Sequence, residues 1–239
     1  MRWDIEHCPQ NFNEMALYPE LREQLNYYYE SGNIPHVILH GDTGTGKSTT
    51  AMILARKIKP EFSHHNVYDC GGDKGVADIK NYIVHLKGAN SGLQRFFADG
   101  SSSTFIFDEF HNISKKHQTM FNIVLETHVA NIPVFFCVND IEKVADPIVS
   151  RCRLLRFDVA VILNDKLVMR DVGITANEWK EELRRVGRII TKDLNYDVDE
   201  KLENDVLSND VNCVDARKFF LSLGEKYEMK LFNANKKKG

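Results

Sequence analysis

An eight-residue stretch of this sequence has the composition of a phosphate-binding loop. It reads Gly-Asp-Thr-Gly-Thr-Gly-Lys-Ser and fits the pattern G-x-x-x-x-G-K-[ST]. In such a loop, glycines let backbone N–H groups surround a polyphosphate, the lysine reaches its terminal phosphates, and the hydroxyl binds Mg²⁺. The pattern predicts a nucleoside triphosphate site with Mg²⁺. The residues that we assign to it are Gly41, Asp42, Thr43, Gly44, Thr45, Gly46, Lys47, Ser48 and Thr49.

Two adjacent carboxylates form a second candidate group. Asp108 and Glu109 directly follow the apolar residues 104–107, which read as a buried strand. A carboxylate at a strand end beside a phosphate loop can hold Mg²⁺ through its water shell, and a second one can polarise the attacking water. We therefore predict that Asp108 and Ser48 bind the metal and that Glu109 is the general base. A solvated acidic turn is the alternative.

Two further polar side chains are placed where they could act on a triphosphate, and two histidines are weighed as metal ligands. Asn139 follows the apolar residues 134–138 and could orient water at the γ-phosphate, although asparagine is also a common turn residue. Arg151 could complete the ATP site of a neighbouring subunit, or simply be solvated. His111 and His117 flank the acidic strand end, but their spacing matches no zinc motif.

The elements that must position these side chains follow an alternating pattern. Residues 37–40, 66–69, 104–107, 134–138 and 154–157 are apolar runs of strand length, and helical patterns separate most of them. Strands this apolar on both faces predict a parallel sheet covered on two sides, and hence an α/β fold. Later residues are helical, with Thr175 and Glu178 forming a capping box. We predict an ATPase domain at 1–158 and a small all-α domain at 159–239.

Composition is that of an ordinary globular protein. The chain has 239 residues, 43% of them hydrophobic, and a formal charge of −3. No apolar run has membrane-spanning length, and the first residues lack the apolar core of a signal peptide. These features predict a protein that is not secreted, has no membrane partner, and is cytoplasmic or, in a eukaryote, nuclear. The five cysteines form no C-x-x-C pair, which favours reduced thiols.

The ordered set of motifs resembles a known family over about residues 3 to 228. It is similar to the AAA+ ATPase subunits of DNA sliding-clamp loaders, in the replication factor C small-subunit and T4-type phage branch. The resemblance implies a P-loop AAA+ ATPase domain followed by a helical lid. The stretches that carry it, beside the phosphate loop and the acidic pair, are Cys8-Pro9, residues 32–39, Asp73-Lys74-Gly75, Ser150-Arg151-Cys152 and Asp215-Ala216-Arg217.

This resemblance implies roles for individual residues. It makes Asn139 the first sensor, Arg151 an arginine finger acting in trans, and Arg217 a lid sensor that contacts the nucleotide. It also implies ATP and Mg²⁺ as cofactors, with other loader subunits, a sliding clamp and primer–template DNA as partners. Helix N-termini and lysines would contact the DNA backbone. The lysines that we assign to this contact are Lys74, Lys80 and Lys115.

The sequence departs from the family pattern in three places. His7-Cys8-Pro9 stands where the family has Tyr-Arg-Pro, and residues 161–174 resemble an insertion before the lid. The family's helical collar domain does not follow the lid. Either the chain is shortened, or it is a relative that assembles through its ATPase faces or another partner.

Other functions remain open at this point. An AAA+ helicase loader or replication initiator is the first alternative, and an ATP-binding scaffold without turnover is the second. Glu109 and Arg151 argue against the scaffold, since neither is needed for binding alone. A helicase is disfavoured because there is no second motor domain.

Overall fold

The computed structural model describes residues 7–58, 60–62, 67–71, 105–126, 133–164, 166–192 and 200–236. By its internal contacts the chain divides into two compact units. One holds Leu25–Gly41 and Lys47–Arg156, and the other holds Met1–Gln24, Asp42–Gly46 and Phe157–Gly239. We call them the sheet unit and the helical unit. The functional boundary at residues 158 and 159 stays a prediction.

A five-stranded parallel sheet forms the centre of the sheet unit, in the order β2-β3-β4-β1-β5. Its register pairs His40 with Val138 and Asp69 with Asp108. The carboxyl ends of the strands therefore lie at one edge of the sheet. Gly41 directly follows β1, Asp108 is the last residue of β3, and Asn139 directly follows β4. The strands are β1 (Val37–His40), β2 (Val67–Asp69), β3 (Phe105–Asp108), β4 (Val134–Val138) and β5 (Arg153–Arg156).

The described α-helices are numbered in chain order. They are α1 (Pro19–Ser31), α2 (Lys47–Ile58), α3 (Lys115–Gln118), α4 (Asn122–Glu126), α5 (Asp146–Val149), α6 (Ala176–Lys192), α7 (Glu200–Leu207), α8 (Asp210–Val214) and α9 (Ala216–Lys236). Short 3₁₀ turns lie at Phe12–Glu14, Phe110–Asn112, Thr119–Phe121 and Ile141–Lys143.

An aromatic cluster fills the sheet unit on one side of β3 and β4. Phe107, Phe110, Phe121 and Phe136 are all buried, and the rings of Phe110 and Phe136 have centroids 4.3 Å apart. The turn Phe110–Asn112, which directly follows Glu109, is anchored in this core by Phe110. Burial of large aromatic side chains stabilises such a core strongly. The acidic pair is thus attached to the packed core of the unit.

The last segment of the helical unit, from Phe157 onward, contains a feature that the sequence did not predict. A two-stranded antiparallel hairpin, β6 (Ala160–Leu163) and β7 (Lys166–Met169), occupies most of the segment that we interpreted as an insertion. The first regular elements after Phe157 are therefore strands, and helices follow from Ala176. The capping box is confirmed, because Thr175 Oγ1 and N both donate to Glu178 Oε2. Buried Trp179 donates from Nε1 to Cys213 O at 2.7 Å.

Other predicted elements differ in detail. The sequence predicts one helix between the third and fourth strands, with Met120, Phe121, Val124, Leu125 and His128 on its apolar face. The described part of this segment is divided into α3, a 3₁₀ turn and α4, and His128 lies outside the described residues. The helix predicted around residues 76–86 lies outside the described residues, as do Lys74 and Lys80. None of the five cysteines, all within the described part, forms a disulfide. Among the described helices, none is long and apolar enough to span a membrane.

His36 should make the stability of the sheet unit depend on pH. Its Nδ1 accepts a hydrogen bond from Val134 N at 3.2 Å, and burial lowers its pKa below the ordinary value of 6.5. The unfolded chain therefore binds this proton at higher pH than the folded protein does. The stability that neutral His36 contributes is complete above about pH 6.5 and is lost as the pH falls through the lower folded-state pKa.

We expect urea unfolding to show this loss between about pH 7.5 and about pH 5.5. The variant His36→Asn keeps an acceptor at the position of Nδ1 but cannot titrate, so its stability should fall less over that range. His117→Asn, which changes a histidine on α3, should leave the pH dependence as in the wild type. Equal pH dependence in His36→Asn and the wild type would contradict this assignment.

Candidate functional site

The phosphate-loop sequence connects β1 directly to α2. Gly41, Gly44 and Gly46 have φ values of 142°, 79° and 98°, in the region that L side chains rarely adopt. Thr45 Oγ1 donates to Asp42 O at 2.8 Å and closes the turn. Glycines are needed at such φ values because a Cβ would be strained there. The backbone therefore has the conformation that the motif predicts between a strand and a helix.

Lys47 begins α2 and is almost completely buried, with 7% of its surface exposed. Its Nζ donates to Gly41 O at 2.7 Å, so the ammonium group lies back over the start of the loop. The helix N-terminus adds backbone N–H groups and a favourable dipole for an anion. Ser48 and Thr49 are in the same first turn. This arrangement fits a bound polyphosphate.

Ser48 and Asp108 are brought together by the sheet topology. Ser48 Oγ donates to Asp108 Oδ2 at 2.8 Å, although the two residues are sixty positions apart. The second carboxylate oxygen, Oδ1, accepts from Glu109 N at 3.1 Å. A hydroxyl and a carboxylate are hard oxygen ligands of the kind that Mg²⁺ prefers. The donor set therefore fits Mg²⁺.

Glu109 has an uncommon backbone conformation. Its φ of 52° and ψ of 35° place a non-glycine residue in the left-handed region. Such residues are uncommon and often occur at functional sites, where the surrounding structure holds them in place. Here the buried Phe110 follows directly and anchors the turn.

The Glu109 carboxylate is contacted by two side chains at the sheet edge. Asn139 Nδ2 donates to Oε2 at 3.1 Å and lies 3.4 Å from Oε1. His111 Nε2 is 3.2 Å from Oε2. Asn139 N in turn donates to His111 Nδ1 at 3.3 Å. The structure therefore joins two of the three predicted catalytic residues, and adds a histidine that we had considered only as a metal ligand.

Gly44 is in close contact with the beginning of α9. Arg217 N donates to Gly44 O at 3.3 Å. A Cβ on Gly44 would lie 1.9 Å from Asp215 Oδ1, which is far below van der Waals contact. Asp215 also accepts from Lys218 N at 3.1 Å. The backbone of the predicted lid sensor is thus adjacent to the middle of the loop, while the Arg217 side chain is exposed.

Arg151 lies apart from these contacts, two residues after the end of α5. It pairs with Glu126, and its Nη1 donates to Pro147 O at 2.8 Å. The side chain is 36% exposed. Its neighbour Cys152 is mostly buried, which raises the pKa of that thiol to about 12 although Arg151 opposes the shift.

The cysteines beside the acidic pair are also held as thiols. Burial raises the pKa of Cys70, and the charges of Asp108 and Asp69 raise it further. Burial likewise raises the pKa of Cys137, which lies in β4. Buried thiols with raised pKa values are poor nucleophiles. Cysteine chemistry is therefore not favoured here.

The histidine metal site considered from the sequence finds no support. Both ring nitrogens of His111 have protein partners, and His117 Nδ1 lies 2.8 Å from Ser114 Oγ. Among the described residues, no group of three or more His, Cys, Asp and Glu side chains could hold a metal. His111 follows the candidate base by two residues, on the turn Phe110–Asn112. This spacing is the feature of the sequence that could have predicted its contact with Glu109.

A family comparison decides the class of this protein. Residues 37–159 match the ATPase family associated with various cellular activities (AAA). The chain belongs to this family of ATPases. This AAA ATPase is therefore a nucleotide-binding protein of the P-loop class, as the motif predicted. The matched range contains the phosphate loop, the acidic pair, Asn139 and Arg151.

Similar curated proteins are replication factor C small subunits. Subunit 1 from Pyrobaculum islandicum is 28% identical over 158 residues, covering 65% of this AAA ATPase and 46% of the relative. The small subunit from Methanoculleus marisnigri is 25% identical over 185 residues, covering 74% and 55%. The probable replication factor C subunit 5 of Caenorhabditis elegans is 25% identical over 175 residues, covering 70% and 46%. The chain thus spans about half the length of these relatives.

Solved structures confirm the fold. The RuvB Holliday junction branch migration motor of Thermotoga maritima has a TM-score of 0.56 at 16% identity, covering 90% of this AAA ATPase and 63% of that chain. The replication initiator DnaA, bound to AMPPCP and single-stranded DNA, has a TM-score of 0.57 at 17% identity, covering 93% and 64%. The predicted α/β P-loop fold with a helical C-terminal region is therefore correct.

Proposed function

We propose that this AAA ATPase is a subunit of a DNA sliding-clamp loader, which binds and hydrolyses ATP at subunit interfaces. The similarity to replication factor C small subunits over the ATPase region supports the assignment to a clamp loader. The observation that carries the chemistry is the pair of contacts at the sheet edge, Ser48 with Asp108 and Glu109 with Asn139. ATP binding closes the assembly, opens the clamp and grips primer–template DNA, and hydrolysis releases both.

The phosphate loop holds the triphosphate in this proposal. Backbone N–H groups of the loop and of the first turn of α2 surround the phosphates, and Lys47 neutralises their terminal charge. Ser48 and Asp108 hold Mg²⁺, which supplies charge neutralisation of the phosphate oxygens when bound. Arg217 reaches the nucleotide from the start of α9, whose backbone contacts Gly44.

Glu109 and Asn139 act on the attacking water. The water oxygen forms a bond to the γ-phosphorus while the bond to the bridging oxygen of ADP breaks. Glu109 takes the proton that the water loses, and Asn139 orients the reactants. Products are ADP and inorganic phosphate. Contacts from Asn139 and His111 to the carboxylate support this division of roles.

Arg151 supplies positive charge to the neighbouring subunit's triphosphate. An arginine stays charged at neutral pH and binds phosphate oxygens with a rigid fork of donors. Its pairing with Glu126 and Pro147 O keeps the guanidinium at the surface of its own unit. Assembly then exchanges the Glu126 contact for the phosphate. A finger of this kind contributes about 10³-fold or more to turnover.

Complementation of two inactive variants tests this role in trans. Lys47→Ala inactivates the phosphate loop of a subunit but leaves its Arg151 intact. Arg151→Ala removes the arginine but leaves the phosphate loop intact. Each variant alone should be inactive, whereas an equal mixture should recover about a quarter of the wild-type rate, because half of the cradles and half of the fingers are intact. Arg153→Ala, an exposed arginine on β5, should remain active alone. A mixture with no recovered hydrolysis would refute the trans role.

The clamp and DNA are the most distant part of the proposal. Of the three lysines assigned to a DNA-backbone contact, Lys115 lies within the described residues, and it is exposed at the start of α3. The decisive experiment is retention of the sliding clamp of the source organism on immobilised protein. Retention with a non-hydrolysable ATP analogue, and none with ADP, is expected. A replication initiator would not retain the clamp under either condition, which would overturn the loader assignment.

A further inference from the structure

His111 has a specific place in the site that the family comparison does not assign. It lies on the turn Phe110–Asn112, and 11% of its side chain is exposed. We propose that His111 is a positioning residue that fixes the Glu109 carboxylate for hydrolysis. This inference rests on the proposed role of Glu109 as general base and extends it. The contacts of His111 are with Glu109 and with the backbone of Asn139, so it acts through Glu109.

The two ring nitrogens of His111 have different partners, and this determines where the ring proton lies. Asn139 N is a backbone donor, and it donates to Nδ1 at 3.3 Å. An imidazole nitrogen that accepts carries no proton, so the proton is on Nε2. Nε2 then carries the ring proton, and it lies 3.2 Å from Glu109 Oε2. The backbone of Asn139 thus selects the tautomer that can hold the carboxylate.

Two side chains contact the same oxygen of the Glu109 carboxylate. His111 Nε2 and Asn139 Nδ2 contact Oε2 at 3.2 Å and 3.1 Å. The other oxygen, Oε1, has only a longer contact of 3.4 Å, from the same amide, within the described part of the chain. Oε2 is therefore the anchored oxygen, and Oε1 is the one that is available to a water molecule.

Anchoring is needed because the Glu109 side chain is otherwise able to move. It is 39% exposed, and among the residues that the structure describes a single amide would hold it if His111 were removed. A general base must stay within hydrogen-bond distance of the proton that it removes, and a displacement of about 1 Å can reduce the rate about 100-fold. His111 links the turn after β3 to the end of β4 and keeps the carboxylate in one orientation.

Two isosteric substitutions separate the two contacts. His111→Gln places an amide nitrogen at the position of Nε2 and can still donate to Glu109. His111→Asn places an amide oxygen at the position of Nδ1; it can still accept from Asn139 N but cannot reach Glu109. His117→Asn and His117→Gln, on α3, are the matched controls. Steady-state ATP hydrolysis of the full chain gives kcat and KM for each variant.

We expect His111→Asn to lower kcat about 10-fold with KM and ATP affinity unchanged. His111→Gln should recover most of the wild-type kcat, and both His117 variants should match the wild type. A purely structural role would predict the opposite order or a parallel loss of thermal stability. The inference is overturned if His111→Gln is as slow as His111→Asn, or if both retain the wild-type kcat.

Nitrogen NMR of histidine-labelled protein tests the contact without turnover. The His111 signals should show an unprotonated Nδ1 and a protonated Nε2, and Glu109→Ala should shift the Nε2–H resonance. If Glu109→Ala shifts the resonance but the wild-type protein hydrolyses no ATP, the proposed function is overturned. The contact between His111 and Glu109 is then still supported. A resonance that does not respond to Glu109→Ala would overturn the positioning role itself.

Discussion

Replacing Glu109 with glutamine is expected to leave ATP binding intact and to reduce hydrolysis at least about 100-fold, because general-base catalysis contributes about 10²- to 10⁴-fold. Glutamine has nearly the same volume, and its amide oxygen can still accept from Asn139 Nδ2. It cannot take the proton of the attacking water. The effect should therefore appear in kcat and not in KM or in the Kd for ATP. Phosphate release and equilibrium ATP binding measure the two quantities separately.

The matched control is Glu142→Gln. Glu142 is an exposed carboxylate on the turn Ile141–Lys143, and its replacement by glutamine removes the same negative charge. Its variant should hydrolyse ATP at the wild-type rate. Removal of a general base lowers turnover by about 100-fold or more. If Glu109→Gln retains more than about a tenth of the wild-type turnover, another residue is the base.

Replacing Lys47 with alanine is expected to weaken ATP binding by about 100-fold, since a buried charge-assisted hydrogen bond contributes about 1.5–3 kcal/mol. Lys47 is 7% exposed and its ammonium lies over the start of the loop, on Gly41 O. Alanine removes the only residue of the motif that brings a full positive charge to the phosphates. The measurement is the Kd for ATP, with thermal unfolding to confirm that the variant is folded.

Lys57→Ala provides the control for loss of charge on the same helix. Lys57 lies in the last turn of α2, where its Nζ is 4.8 Å from the centre of the Tyr29 ring. It is exposed and far along the helix from the phosphate loop. ATP affinity should be unchanged in this variant. Tight ATP binding by Lys47→Ala would contradict the assignment of residues 41–48 as the nucleotide cradle.

The candidate site was predictable wherever its signals are local. The phosphate loop must contain glycines at its left-handed positions, and Gly44 and Gly46 occupy them. Asn139 was predictable as a strand-end residue, and the structure places its amide on Glu109. Its role as first sensor stays a prediction, as do the roles of Arg151 and Arg217. The role of His111 was not predicted, because the contact that sets its ring orientation comes from Asn139 N, twenty-eight positions away.

What the sequence determined by itself is the chemistry of the loop and the class of fold. Apolar strands, a strand–loop–helix motif and a capping box depend on neighbouring residues, so their patterns are visible in a linear chain. The order β2-β3-β4-β1-β5, the hairpin Ala160–Met169 and the Ser48–Asp108 contact were decided only by the tertiary structure. They depend on which distant segments pair, and local periodicity carries no information about that choice.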